Sequence, residues 1–437
     1  MDTITEKVVV EQLNSYALEC KKAHKYTTAE IILNRAIAMY PKAGILWNNL
    51  GAVLWNLHRW DEAESALLKA KDLDYDIDTT SSNLGLLYSS QQRWDEAKYN
   101  LDRALELNPK NKNPIWEKAL CLLDKGEWEE GLRLYDVRRE VKKEITPLKY
   151  PLWNGEDLNG KTIFIQGEQG FGDRILFHRY VYWLKEKWPE VKILYLCEPK
   201  LHNLFWELKL ATGLEFVPDK VPWPDADYGQ YVLNLPAIHG TTIDNVYPDP
   251  GMIRKRVIPY KSSFTPPNPE DPDSIKIGIC WTGNPIMDQN IQRSVPLDLL
   301  LTLAENPKVI LYSLQLGEGE RDVDRLDCNG LVCDLSSELK KEGWYGTALA
   351  VANMDLVITC CTSIAHLAGA LEIPCWTMLC YAPYWVWLRN REDSVWYPKT
   401  KLYRQTVPGE WKDVINIIKQ DLSALINKNK ELKNGYS

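Results

Sequence analysis

Asp355-Leu-Val-Ile-Thr-Cys-Cys-Thr-Ser-Ile-Ala-His-Leu-Ala-Gly-Ala370, followed after three residues by Pro374-Cys-Trp-Thr-Met-Leu379, is the stretch from which the fold is read. An apolar run reaches a polar turn at Cys360-Cys361-Thr362-Ser363, continues into small and apolar residues, and meets a second apolar run. The pattern predicts strand, turn, helix and strand, the unit of a parallel α/β sheet. Ligands of such sheets bind at the carboxyl ends of the strands, where a helix N-terminus meets an anion. Thr362 and Ser363 fall at that turn. Short hydroxyls there cap the helix or contact a phosphate oxygen, and capping is the commoner use.

The same unit recurs on the N-terminal side. Ile275-Lys-Ile-Gly-Ile-Cys-Trp281 reads as a strand entering the turn Thr282-Gly283-Asn284-Pro285. A loop then leads to Arg293-Ser294-Val-Pro-Leu297, read as the opening of a helix. Arg293 could pair bidentately with phosphate or be a structural arginine. Val309 to Gln315 is the next strand, ending on a polar residue at the ligand edge, and Tyr345-Gly-Thr347 opens a helix ahead of Asp355. Polar turns at Gly283-Asn284, Gln315 and Thr362-Ser363 thus converge on one sheet edge, which points to a ligand site. The amphipathic segment Trp411 to Lys428 is expected to be a helix crossing back to the preceding half.

Further upstream, Thr162-Ile-Phe-Ile-Gln166 is a short strand running into Gly167-Glu-Gln-Gly170-Phe-Gly172-Asp173, with helical periodicity from Arg174. This glycine-rich turn brings backbone N–H groups toward a ligand. It has neither the Gly-Lys-Ser/Thr of a phosphate loop nor the dinucleotide spacing. Asp173 is either a helix N-terminal carboxylate or a general base facing a cleft. A further strand is expected at 191–196. Asp225-Ala-Asp227 resembles a metal-binding pair, but its Trp-Pro and Tyr-Gly flanks favour a loop. Pro266, Pro267, Pro269 and Pro272 form a proline-rich joint. Residues 144–270 and 271–437 are therefore read as two α/β halves.

Residues 1–143 repeat with a period of 34. Trp60-Asp-Glu-Ala63, Trp94-Asp-Glu-Ala97 and Trp128-Glu-Glu-Gly131 share that spacing, as do Gly51, Gly85 and Ala119, and Ala36, Ala70 and Ala104. Small residues at fixed offsets let antiparallel helices approach, and Pro41 and Pro109 mark repeat ends. The segment is similar to the tetratricopeptide repeat (TPR), in about three and a half to four copies with a degenerate first one. Such an array holds no chemistry. It docks a partner or acceptor in its groove, or stabilises the α/β domain after it. Arg138 to Glu144 reads as a solvated helix end leading to a linker.

The chain has 437 residues, a net charge of −8 and 45% hydrophobic residues, enough for several cores. Its mild acidity gives no general footprint for nucleic acid, although a local basic groove stays open. No uncharged run reaches membrane-spanning length, and the first residues lack an apolar signal region, so a cytoplasmic location is expected. The ten cysteines show no Cys-x-x-Cys pair and are expected to be reduced thiols.

Segments 153–184, 277–315 and 345–416 carry Gly167-Glu-Gln-Gly-Phe-Gly-Asp173, Trp281-Thr-Gly-Asn-Pro285, Arg293-Ser294, Ser313-Leu-Gln315 and Thr362-Ser-Ile-Ala-His-Leu-Ala-Gly-Ala-Leu371. They also carry Trp385-Val-Trp-Leu388, Asp393-Ser-Val-Trp-Tyr-Pro398 and Leu402-Tyr-Arg-Gln405. In this order, after a repeat array, they resemble the TPR-linked glycosyltransferases related to glycosyltransferase family 9, the heptosyltransferases, and more distantly the O-GlcNAc transferase group. The resemblance implies an N-terminal TPR α-solenoid followed by a GT-B fold of two Rossmann-like domains. It implies a nucleotide-sugar donor in the C-terminal half, and a glycan, protein or other hydroxyl acceptor toward the N-terminal half. No metal or cofactor is expected, and the stereochemical outcome is inversion.

On that template Asp173 matches the base. Thr362, Ser363 and His366 match the donor-phosphate turn, Arg293 and Ser294 a neighbouring phosphate contact, and Gly283, Asn284 and Gln315 the surroundings of the nucleotide; the other reading of His366 is a buried, hydrogen-bonded histidine. Gln169, Gly170 and Gly172 lie on the acceptor side. Two positions depart from the family pattern: Cys361 stands where relatives usually carry Asp, and Tyr384-Trp-Val-Trp387 where they often read Asp-Trp-Arg-Trp. These losses favour a different donor sugar or a non-catalytic TPR scaffold with a degenerate nucleotide site. A hydrolase or epimerase of the nucleotide sugar is a third reading, which would consume donor without acceptor.

Overall fold

The structure is a computed structural model and describes residues 3–142, 145–219, 222–267, 274–287 and 290–434. The chain divides into two compact units, Met1–Lys143 and Glu144–Ser437.

The first unit is a stack of helix pairs: α1 (Thr3–Lys22) with α2 (Tyr26–Met39), α3 (Gly44–Asn56) with α4 (Trp60–Asp72), α5 (Ile77–Ser90) with α6 (Trp94–Leu107), and α7 (Asn113–Lys125) with α8 (Trp128–Tyr135). The repeated small residues act as expected. Ala36, Ala63, Ala70, Ala97 and Ala104 are fully buried. A methyl carbon added at Gly51 would lie 2.5 Å from Leu67 Cγ, and one at Gly85 would lie 2.5 Å from Leu101 Cγ. Either would force a helix pair apart, because close-packed interiors do not absorb an added carbon cheaply. A second marker at the same period comes from the turns. Arg59 binds Glu62 of its own helix and Glu30 of the previous repeat, and Arg93 likewise binds Glu96 and Glu64. Arg138 departs from the expected solvated helix end: it is fully buried, donates to Tyr135 O at 3.1 Å and lies over the Tyr135 ring. Lys143 and Glu144 of that stretch lie outside the described residues.

The second unit holds two sheets. The first comprises β1 (Thr162–Gln166), β2 (Lys192–Leu196), β3 (Glu215–Val217) and β4 (Tyr228–Tyr231), in the order β3-β2-β1-β4. The second comprises β5 (Ile275–Cys280), β6 (Val309–Ser313), β7 (Val332–Asp334), β8 (Leu356–Cys360), β9 (Cys375–Leu379) and β10 (Thr400–Arg404), in the order β10-β9-β8-β5-β6-β7. Every pairing between these strands is parallel. Parallel strands are covered on both faces, which is why β8 and β9 read as largely apolar runs and β5 does so after Lys276. Counted within its own half, the second sheet has the doubly wound order 3-2-1-4-5-6 and the first its opening 3-2-1-4. This pair of parallel α/β lobes after a TPR array is a GT-B arrangement. The strand order reverses between β1 and β4 and between β5 and β8, and ligands of such sheets bind outside the carboxyl ends at those points.

Two local expectations need correction. The C-terminal helix, Lys412–Asn434, does not turn its apolar face to the first lobe: Val414, Ile415, Ile418 and Leu422, together with Trp411, join the core around β5, β6 and β8. Arg293 closes the short helix Asn290–Arg293 instead of opening one, and the next helix begins at Leu297 behind Pro296. The helix expected to open at Tyr345 is present: Gly343, at a φ of 57° that glycine adopts without strain, breaks the segment Ser336–Ala352, and the part after the break leads into β8. Pro269 and Pro272 of the proline-rich joint lie outside the described residues.

Candidate active site

The helix Phe171–Lys187 follows β1, and its first turn carries Asp173. Gly170 is the N-cap in extended backbone, and Asp173 Oδ2 accepts from Gly170 N at 3.1 Å. This contact satisfies a helix-start donor and fixes one carboxylate oxygen. Gln169 precedes it at φ 59°, so the chain turns sharply before the helix. From the other lobe, the Tyr384 hydroxyl donates to Asp173 Oδ1 at 3.0 Å.

The helix Ser363–Ala370 follows β8 and packs against the Asp173 helix. Thr362 is its N-cap, accepting from Ile364 N at 3.3 Å, and its hydroxyl lies 3.2 Å from that of Thr359. Capping is thus what Thr362 does. Ser363 is half-buried at the first turn. The two helix starts touch: a methyl carbon at Gly172 would lie 3.4 Å from Ser363 Cα and 2.8 Å from His366 Cδ2. Glycine at 172 is what allows this approach.

His366 is buried, stacked on Trp387 at a 5.0 Å ring separation, with Nδ1 3.3 Å from the Tyr397 hydroxyl. Burial pushes its pKa down to about 3, and the nearby Arg179 guanidinium adds to the effect. It is a neutral ring, so it cannot supply positive charge to a phosphate. The unfolded chain therefore takes up a proton, from the ordinary value of 6.5 downward, that the folded chain refuses until about 3. Stability is expected to fall as pH drops through that window, by at most about 1.4 kcal/mol per unit from this group. His366→Phe, which keeps the stack and loses the titration, should flatten the slope of unfolding free energy between pH 7.5 and 5.5. Equal slopes in denaturant titrations of both proteins would remove the assignment.

Arg293 reaches the same turn. Its Nη1 donates to Cys361 O at 2.9 Å, its Nε to Asn290 Oδ1 at 3.1 Å, and its Nη2 meets Met287 Sδ at 3.4 Å. Of the five N–H donors on a guanidinium, these contacts use three. A methyl carbon at Gly283 would fall 2.1 Å from Arg293 Nη2, so glycine there makes room for the guanidinium. Ser294 is structural: its hydroxyl donates to Asn290 O at 2.6 Å and lies 2.7 Å from Thr282 Oγ1. Asn284 is exposed and caps its own turn through Ile286 N. Gln315 is buried, with Oε1 accepting from Trp281 N and Thr282 N at 3.1 Å and Nε2 donating to Leu316 O. It shapes the end of β5, with its side-chain oxygen engaged by the backbone and one of its two amide N–H groups on Leu316 O.

Both departures from the family pattern lie here. Cys361 Sγ accepts from Trp387 Nε1 at 3.0 Å, and burial raises its thiol pKa, so it offers no anionic substitute for a carboxylate. Val386 is buried and Tyr384 is turned onto Asp173. No local signal foretold that last contact, which joins residues 211 apart.

A recess of about 370 Å³ is lined by Trp281, Thr282, Ser294, Leu297, Asp322 and Arg325. Another of about 340 Å³, beside β10, includes none of the expected site residues. Asp225 is exposed and Asp227 accepts from Thr162 N at 2.8 Å. Among the described residues no group of three or more His, Cys, Asp and Glu is arranged to hold a metal ion, and no helix is long and apolar enough to cross a membrane.

The chain joins a TPR array to two doubly wound parallel α/β lobes, a GT-B arrangement. Residues 43–110 and 82–139 match the tetratricopeptide repeat family. Over 446 aligned residues the chain is 24% identical to protein FlbA of Caulobacter vibrioides, covering 92% of this chain and 71% of that protein. Among solved structures it is similar to a mutant O-GlcNAc transferase of Thermobaculum terrenum, at 14% identity over 99% of this chain and 94% of that one, with a TM-score of 0.35. It is also similar to the E. coli heptosyltransferase WaaC with ADP, at 12% identity over 60% of this chain and 99% of that one, with a TM-score of 0.42.

Proposed function

We propose that the second unit is an inverting, metal-independent glycosyltransferase that moves a sugar from a nucleotide-sugar donor to an acceptor hydroxyl. The observation that carries this reading is the contact of the Asp173 turn with the Thr362–Ser363 turn, each at the switch point of its own sheet. The donor diphosphate sits at the start of the Ser363–Ala370 helix, where N–H groups and the positive dipole end face it. The remaining Arg293 donors add the cationic charge. The acceptor oxygen attacks the anomeric carbon and loses its proton to Asp173. The bond from that carbon to the diphosphate oxygen breaks, and the electron pair leaves with the nucleotide. One displacement inverts the anomeric centre. The TPR array docks the acceptor or a protein partner.

Cys361 and Val386 favour a second reading, in which the lobes bind nucleotide without turnover. A panel of nucleotide sugars, assayed for nucleotide release with and without simple glycan and peptide acceptors, tests both. Acceptor-dependent release is the expected result. Tight nucleotide binding by thermal shift with no release from any donor would establish the second reading instead.

A further inference from the structure

Tyr384 precedes the short turn Trp385–Trp387 and is anchored from several sides. Trp385 stacks on Phe177 of the helix that bears Asp173, at 6.3 Å between rings. Trp387 stacks on His366 and donates its indole N–H to Cys361 Sγ. Trp396 Nε1 holds Val386 O at 2.9 Å, and Arg404 Nη2 holds Trp387 O at 2.7 Å. The backbone at 384 is thereby set against both helix starts, and its phenol meets Asp173 Oδ1 while Gly170 N holds the other carboxylate oxygen.

We infer that Tyr384 is the positioning residue for the Asp173 carboxylate, a role this chain gives to a phenol at a position where its own pattern departs from Asp-Trp-Arg-Trp. The inference rests on the transferase reading of Asp173. With a donor on each oxygen, the carboxylate cannot rotate about its terminal bond without breaking a hydrogen bond. Each carboxylate oxygen has acceptor capacity for more than one donor, so the incoming hydroxyl can still be met. A base held this way spends no free energy on orientation as the acceptor arrives. Tyr384 takes no proton in this scheme and acts only through the carboxylate it holds.

The experiment compares wild type, Tyr384→Phe, Asp173→Asn and the double variant, using whichever donor and acceptor the nucleotide-sugar panel identifies. Tyr384→Phe keeps the ring and loses only the hydroxyl. It should lower kcat by about 10- to 100-fold, the value of one hydrogen bond to a charged group, with both KM values within about twofold of wild type. In the Asp173→Asn background the same change should cost nothing, since the group it positions is gone. A Tyr384→Phe kcat within about twofold of wild type, or an undiminished loss in the Asp173→Asn background, would overturn the inference while leaving the transferase reading intact. A wild type that releases no nucleotide from any donor overturns both. Should Tyr384→Phe melt well below wild type, Tyr384→His, which retains a donor on a ring, must restore much of kcat, and its failure to do so also overturns the role.

Discussion

Asp173→Asn is expected to reduce turnover by about 10²- to 10⁴-fold, the range that a positioned general base contributes. The substitution is chosen to spare the fold. An amide oxygen can still accept from Gly170 N, and the amide N–H₂ can donate to a rotated Tyr384 hydroxyl, so neither contact of the native carboxylate has to be left empty. The helix loses a favourable charge at its N-terminus, worth only about 0.3–1 kcal/mol. Binding of the donor nucleotide should stay within about twofold, because the diphosphate is met by the Ser363–Ala370 helix start and Arg293. The check is a full kcat and KM determination beside a thermal-shift titration with the free nucleotide. Turnover within about threefold of wild type would show that Asp173 is only a helix-cap carboxylate and that no base is needed there.

How far such a result could be read from the sequence depends on the distance over which each feature is encoded. The strands at 162–166, 309–313 and 375–379 were legible because burial on both faces demands continuous apolar runs. The 34-residue period was legible because each small residue faces the same neighbour in every repeat. β4, Tyr-Gly-Gln-Tyr, was not, since a glycine beside polar flanks looks like a turn. Gly229 is there because a methyl carbon would come within 3.0 Å of the Tyr150 ring, which packs over that strand from 79 positions earlier in the chain (229 − 150). The short strands β3 and β7, of three residues each, are too brief to show a period. At the site, the turns at 173 and 362–363 followed from local pattern, whereas the roles inside it did not. Of the two readings of His366, phosphate contact and buried histidine, the second holds, because Trp387 and Tyr397 enclose the ring. Gln315 looked like a ligand-edge residue, yet the backbone N–H groups of Trp281 and Thr282 engage its side-chain oxygen. Long-range packing leaves no mark near the residue it silences.

The same limit hid Arg179, where Arg179→Leu is expected to cost about 3 kcal/mol, the scale of leaving buried acceptors without their donor. Arg179 is 1% exposed on the helix that begins with the Asp173 turn. Its Nη1 donates to Tyr247 O at 3.1 Å and to Trp396 O at 3.4 Å, its Nη2 lies 3.5 Å from Asp249 Oδ2, and its guanidinium sits over the rings of Trp396 and Tyr397. It therefore ties the first lobe's helix and its 247–249 segment to the 396–397 segment of the second lobe. Leucine fills part of the volume but takes this donor away from three carbonyls, Leu176 O among them, and one carboxylate, and unsatisfied buried groups cost more than the hydrogen bonds they replace. The melting midpoint of the second unit should drop by roughly 10 °C. Arg179→Lys should fall between, since an ammonium keeps the charge but cannot span these carbonyls and the carboxylate with one planar fork. Calorimetry on the full chain separates this from the array's own transition if the two units unfold independently. A leucine variant that melts within about 2 °C of wild type would mean that the lobes are held by the surrounding aromatic packing, Trp385 on Phe177 above all, and not by this arginine. The Asp173 turn is carried on the same helix, so a lysine variant that folds but loses turnover disproportionately would show that the tie also sets the distance between the two helix starts.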